Sequence, residues 1–533
     1  MSDRIRMSGL VSGLDTESIV SALVSAASYK TTKLKNTQKK LEWKQETWKS
    51  VNSEVYSLYS GKLDNLRYEG NYNAKKATVD NDIATVTADN NAVLGAQTLE
   101  VHQMATSGYL TGGQVKAGDN LAGAGTTFFD LTNNEFTADD LNNGITIKVK
   151  VGKDEKDVTI FGGDSMTTIA DKFSKAGLTA NFDKNTGRFF LASTTSGADA
   201  NFEIEYDNNS PTAQKAIEKL GLKYSISEDE NGNKVYDSDT GAVKIEGRNA
   251  KIVLNGAEFE SATNTFSING LNITAKGISE LDPLSPDGKG FKKSTITTSL
   301  DVDRIYDSIK DFFKSYNELI NKLDTYYNAD SAKGYDVLSD EEKEAMTDEE
   351  VETWEKKIKD SLLRRDSNLN NLINAFKENL SKSHEINGQT YSLASFGVAT
   401  LGYFEAKDNE HGMYHINGDP DDDSTKSKTD TLKKMIGSDP EAVSKFFSTL
   451  FKGVYKAIDK EMRFVEGTRS AMKIYDDKAL QKQYDDLTNE IKAQEQKVSD
   501  MEDAYYDKFT AMEKALSKLN SQSSSFAGLM GGG

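Results

Sequence analysis

From Leu34 the chain carries Thr37, Leu41, Lys44, Trp48, Val51, Val55 and Leu58 at alternating steps of three and four. That is the heptad spacing of a long helix that seeks helical partners. The far end repeats it with Leu480, Tyr484, Leu487, Ile491, Gln494, Val498, Met501 and Tyr505, and a further step of four leads to Phe509, Met512, Leu516 and Leu519. Two successive steps of four make a stutter, which locally unwinds a coiled coil. Polar seam members such as Thr37, Lys44 and Gln494 either set register and partner choice at a cost in stability or are simply solvated.

Between these ends the period drops to two. Segments 83–87, 98–101 and 145–151 alternate apolar with polar residues and predict half-buried strands. Asn-Gly pairs at Asn143-Gly144, Asn231-Gly232, Asn255-Gly256 and Asn269-Gly270 supply the positive φ angles of tight hairpins. The run 251–275 reads as a meander of four strands. Short helices are expected at 166–176, stopped by Gly177, and after Ser210-Pro211, stopped by Gly221. From Asp301 a helical period returns through Ile305, Ile309, Phe312, Phe313, Tyr316, Leu319, Ile320 and Leu323, with further helices at 340–363, 368–381 and 440–462. The order helix, strands, helices predicts an α+β multidomain chain. Its two ends build a helical, coiled-coil stem, and β-rich head domains are inserted between them.

Charge sharpens the pairing of the ends. Residues 1–67 carry a net +4 and residues 476–533 a net −4, which favours the N-terminal helix beside the C-terminal one over like with like. The whole chain, 533 residues at −19, lacks the basic balance that nucleic acid or an anionic membrane requires, so its partners are expected to be proteins. Such a length implies three or four domains. The absence of cysteine removes disulfides, thiolate nucleophiles and Cys-based zinc sites. No segment is apolar for long enough to span a bilayer, and the charged start lacks the apolar core of a signal peptide.

The opening Ser8-Gly-Leu-Val-Ser-Gly-Leu-Asp-Thr-Glu-Ser-Ile-Val20 resembles the start of the flagellar filament-capping, or hook-associated protein 2, family, in which Gly-Ser-Gly-Leu-Asp precedes the first helix. Ser12, Gly13, Leu14 and Asp15 carry that motif, with Val11 where glycine is commoner. Asp15 or Thr16 can cap the helix, and Glu17 suits its first turn. The run 509–523 is similar to the family's end, and 303–320, 335–364, Phe396-Gly-Val398 and Asp439-Pro-Glu-Ala-Val443 resemble its middle. Residues from about 109 to 243 match nothing specific, as suits a variable outer head.

The resemblance implies four parts: mobile terminal helices (1–42 with 478–533), a helical leg (43–72 with 295–477), an inner β-rich head (73–108 with 244–294) and an outer variable head (109–243). It further implies a secreted homo-oligomeric ring at the distal tip of the filament, which plugs the open end while flagellin folds beneath it. The flagellar export apparatus and a chaperone on the C-terminal helix are implied partners, and the outer head could serve adhesion. Contact candidates are Leu34, Leu41, Trp48, Val51, Val55, Leu58, Leu487, Ile491, Val498, Met501, Phe509 and Leu516. Rival readings are another axial flagellar protein, which would also pair its ends, and an adhesin for mucin or glycans.

Chemistry is sparse. No phosphate loop, dinucleotide fingerprint, nucleophile elbow or HExxH occurs, so no catalytic or cofactor-binding residue is assigned and an enzyme is not expected. His411 and His415 would align on a helix, but Gly412 and Asn417-Gly418 place them in a turn or strand. Asp419, Asp421 and Asp423 imitate a calcium loop, yet Ser424 replaces its glycine and Asp430 its glutamate. Both are read as loop, and no metal ligand is assigned.

Overall fold

The computed structural model describes residues 12–205, 210–228, 234–286, 290–402, 404–407 and 410–530. Ser8 to Val11 of the opening motif and the Asn231-Gly232 pair lie outside them. The chain divides into two compact units, one of Met1–Asn73 with Val302–Gly533, the other of Ala74–Asp301. Strongly helical ends and a β-rich middle are thus both present.

In the helical unit, Thr16–Leu58 runs as one helix and continues through a π-helical turn, Tyr59–Leu63. Val302–Asn328 buries Ile305, Ile309, Phe312, Phe313, Tyr316, Leu319, Ile320 and Leu323, the stripe expected from the sequence, together with Tyr306. Its aromatics meet Ser367–Leu380 and Pro440–Glu461, with Phe312 against Phe451 at 4.4 Å and Tyr316 against Phe376 at 5.7 Å between ring centroids. Edge-on aromatic pairs of this kind add about 1 kcal/mol each beyond the area they bury. The helix expected at 340–363 is broken. Ser339 and Thr347 each close a capping box, with Glu342 and Glu350, so Asp340–Glu344 and Asp348–Asp360 start separately, and a 3-10 turn, Ser361–Leu363, follows.

In the β-rich unit a five-stranded sheet runs in the order Lys75–Val79, Ser294–Leu300, Gly95–Gln103, Ala250–Leu254, Ala257–Ser261. Thr265–Ile268 and Leu271–Ala275 pair instead with Ala84–Ala88. The expected four-strand meander is therefore two hairpins in two sheets, because each hairpin finds its further partner among strands far away in sequence. Both turns are built as read, with Asn255 and Asn269 at φ 51° and 48° and the following glycines at 84° and 79°; Asn143-Gly144, also read as a hairpin turn, instead ends the short helix Ala138–Asn143, with Gly144 as its C-cap at φ 86°.

These two sheets close one hydrophobic cluster, containing Leu99, Val101, Ile252, Ile273 and Ile296. A second cluster, containing Phe128, Ile147, Phe173, Phe189 and Phe202, is drawn entirely from residues 110–222. The excursion leaves and returns side by side, since Thr106 and Arg248 exchange backbone hydrogen bonds of 3.0 and 3.1 Å.

Candidate functional site

Two helices from opposite chain ends, Thr16–Leu58 and Asp477–Met530, lie antiparallel. Trp48 stacks on Tyr475, with centroids 5.4 Å apart and planes 7° from parallel. Moving outward, the Tyr484 hydroxyl donates to Glu42 at 3.4 Å, the Gln38 amide donates to Thr488 at 2.6 Å and Lys35 pairs with Glu495 at 2.7 Å. Last, Ser12 meets Glu513. Rising numbers on one helix thus face falling numbers on the other.

The opening motif now has a physical reading. The Ser12 amide donates to the Glu513 carboxylate at 3.2 Å and the Ser12 hydroxyl donates to its other oxygen. Glu513 is only 5% exposed, and a buried carboxylate is tolerable when such donors face it. Gly13 sits at φ +69°, a left-handed turn that a Cβ would strain. Asp15 then caps the helix, accepting from the Ser18 amide at 3.1 Å and hydroxyl at 2.6 Å. Those two bonds hold the Asp15 carboxyl below its ordinary value of 3.8. Leu14 remains exposed.

Along the pair the buried apolar residues are few: Val20, Val24 and Ile491, with polar Thr16, Thr31 and Gln494 also buried. Lys35 and Glu495 are each about half exposed, so their bridge contributes at most about 1 kcal/mol. Nearer the helical body the packing tightens. Asn52 is buried and its side-chain oxygen accepts from the Ile474 amide at 3.0 Å, while Lys44 bridges Asp366 at 2.9 Å.

The contact candidates separate by position. Trp48, Val51, Val55 and Leu58 are buried within the helical unit at 5% exposure or less. Ile491 is buried in the helix pair, whereas Leu34, Leu41, Leu487, Val498, Phe509 and Leu516 are half-buried and Met501 is exposed. Thr37 is exposed. Sequence reasoning missed Val20 and Val24, because the weak steps Thr16, Val20, Val24 and Thr31 extend the seam ahead of Leu34. It also missed Trp43, buried with the Lys359 ammonium 4.7 Å from its ring, and Glu513, which occupies a buried position that the apolar pattern assigned to its neighbours.

The acidic loop has internal partners. Asp419 and Asp421 share the Lys310 ammonium, Asp423 meets Lys426 at 2.6 Å, and buried His415 hydrogen-bonds Asp422 at 2.7 Å. Among the described residues no three His, Asp or Glu side chains come together to hold a metal. No described helix is long and apolar enough to cross a membrane.

An antiparallel pair of terminal helices, with a β-rich unit between them in sequence, defines a helical-stem protein with an inserted head region. Residues 12–108 match the family described as flagellar hook-associated protein 2 N-terminus, and 247–521 match flagellar hook-associated protein 2 C-terminus. The chain belongs to the flagellar hook-associated protein 2 family. It is 23% identical to flagellar hook-associated protein 2 of Halalkalibacterium halodurans, covering 97% of this chain and 98% of that one. It is 27% identical to the A-type flagellar hook-associated protein 2 of Pseudomonas aeruginosa, over 60% of this chain and 63% of that one. Among solved structures it is similar to the D1-D2-D3 domains of the flagellar cap protein FliD from Escherichia coli, at 16% identity and a TM-score of 0.46 over 76% of this chain and 95% of that one.

Proposed function

We propose that the chain is the subunit of a filament cap: a secreted protein that assembles with copies of itself into a ring at the distal tip, beneath which exported flagellin folds and polymerises. The observation that carries this is the family match at both ends of the chain, joined by the opening motif's contact with the C-terminal helix. The division into terminal helices, leg, inner head and outer head belongs to the same reading, and the separate hydrophobic cluster of residues 110–222 supports its last part.

The terminal helices bury few apolar residues against each other, so they gain most of their order when assembly covers more of them. The half-exposed set Leu34, Leu41, Leu487, Val498, Met501, Phe509 and Leu516 is the proposed contact surface. Burial of Trp48, Val51, Val55 and Leu58 supports a role in holding the leg together. Before export, the apolar stripe of the C-terminal helix is the proposed seat of a chaperone, and the N-terminal segment the address read by the export apparatus. Electron micrographs of the purified full-length assembly, viewed face on, test the central part. Closed rings are expected, and particles that stay single at every concentration would sink the proposal.

A further inference from the structure

The β-rich unit holds two separate hydrophobic clusters, a two-sheet lobe built on Leu99, Val101, Ile252 and Ile296 and an aromatic lobe built on Phe173, Phe189 and Phe202. The chain enters and leaves the aromatic lobe through two neighbouring segments, around Thr106 and Arg248. Two such linkers are ordinarily a hinge, across which domains move unless something fixes them. In this unit a third segment meets them. Residues 195–201, which join strands Arg188–Ser193 and Phe202–Glu205 of the aromatic lobe, bond to both linkers and to the two-sheet lobe beyond.

One oxygen ties the three segments together, since the Thr106 carbonyl accepts from the Arg248 amide and from the Gly197 amide, both at 3.1 Å. Asn201 clasps Gly247 by both of its backbone groups: the Asn201 side-chain oxygen accepts from the Gly247 amide at 2.6 Å, and the side-chain nitrogen donates to the Gly247 carbonyl at 3.1 Å. The Ala198 amide donates to the Asn249 side-chain oxygen at 2.9 Å. Past the linkers, the Ser196 hydroxyl donates to the Ala262 carbonyl at 2.6 Å, in the loop between Ala257–Ser261 and Thr265–Ile268 of the two-sheet lobe. That lobe grips the linkers from its own side: the Gln103 amide donates to the Asn249 carbonyl at 2.6 Å, and the Asn264 side-chain oxygen accepts from the Ala105 amide at 2.7 Å.

Glycine lets the segments cross at backbone contact. A Cβ on Gly197 would stand 2.7 Å from the Ala262 Cβ, one on Gly247 would stand 2.8 Å from both the Gly197 and the Thr106 carbonyl oxygens, and one on Gly108 would stand 2.9 Å from the Asn201 side-chain oxygen. Gly197 also sits at φ +105°, where a side chain is strained. A hinge works by changing φ and ψ at a few linker residues. Such a change at Thr106, Gly247 or Arg248 would break several of these bonds at once and drive backbone into backbone. We infer that the crossing is a latch that makes the two lobes one rigid body, so that a load or a contact on the aromatic lobe reaches the two-sheet lobe instead of being taken up by bending. Nothing in this latch depends on the proposed cap.

Because the chain has no cysteine, Lys175→Cys and Asn272→Cys, both at exposed positions, put one spin label on each lobe of the full-length protein. Pulsed electron-electron double resonance then reads the distribution of distances between the lobes. With the latch intact a single narrow distance is expected. Gly197→Val, which forces residue 197 away from Ala262, should roughly double the width of that distribution or more, as the two linkers become a working hinge. Asn201→Ala with Asn249→Ala opens the clasp without adding atoms, so it gives the reading should the valine variant fail to fold, and it should broaden the distribution too. Hydrogen exchange that stays slow in both Leu178–Asp183 and Ala250–Leu254 marks a variant whose lobes are each still folded. A broad distribution in the labelled chain with its latch intact, or a distribution that stays narrow in the folded variants, overturns the inference.

Discussion

Replacing Trp48 by alanine separates the two roles open to the seam of the N-terminal helix, contact with other subunits or packing of its own leg. The indole is 1% exposed, lies flat on Tyr475 at 5.4 Å and is flanked by Val51 and Val55 at 0% exposure. Removing it deletes a large buried surface and leaves a cavity between the N-terminal helix and the segment that leads into the C-terminal one. For a Trp so enclosed, loss of transfer free energy plus the cavity costs about 3–5 kcal/mol, of which the stacked pair accounts for about 0.5–1.5 kcal/mol. In a unit of this size each kcal/mol moves the midpoint by about 2 °C, so the helical unit should melt roughly 6–10 °C lower. Scanning calorimetry of the dilute full-length chain measures it, and Trp48→Phe, which keeps a ring against Tyr475, should lose less than half as much. A double-mutant cycle with Tyr475→Ala isolates the stacking contribution. If Trp48→Ala shifts the midpoint by less than about 2 °C while assembly fails, the side chain serves a partner and the packing argument is wrong.

Glu513→Ala should release the start of the N-terminal helix, so hydrogen exchange should quicken around residues 12–20 while the 305–323 core stays protected; equal protection throughout would mean that the Ser12 contact holds nothing. Because hydrogen bonds depress the Asp15 carboxyl, its capping contribution is present above the unfolded value near 3.8 and lost as pH falls through the lower folded value. The Ser18 amide should therefore exchange faster below about pH 4 beyond the intrinsic trend, and Asp15→Asn should abolish that dependence. Excising about 108–242 and rejoining the chain should leave a protein that still forms rings, because Thr106 and Arg248 already sit side by side. A folded but strictly monomeric product would make the outer head the assembly module.

Patterns that depend on one element alone were legible in the sequence. The stripe from Ile305 to Leu323 and the hairpins at Asn255-Gly256 and Asn269-Gly270 follow from a helical period and from φ angles that few residues accept. Sheet membership was not legible in this way: nothing within 250–275 says that one hairpin joins Gly95–Gln103 and the next Ala84–Ala88, since that choice is made by strands more than a hundred residues away. At the site, the pairing of the chain ends could be read from opposite charge and matching heptads. What could not be read was which partner each seam residue faces. Trp48 and Met501 both belong to the heptad seams, yet one is sealed inside the leg and the other is exposed, because the leg helices cover only one part of the pair.

The most direct test of the account removes this gene from its source strain and asks what becomes of exported flagellin. A cap subunit predicts cells that keep their hooks, lack filaments and shed unpolymerised flagellin into the medium, with filaments restored when the full-length chain is supplied again. Filaments of normal length on the deletion strain, with no free flagellin in the medium, would contradict it.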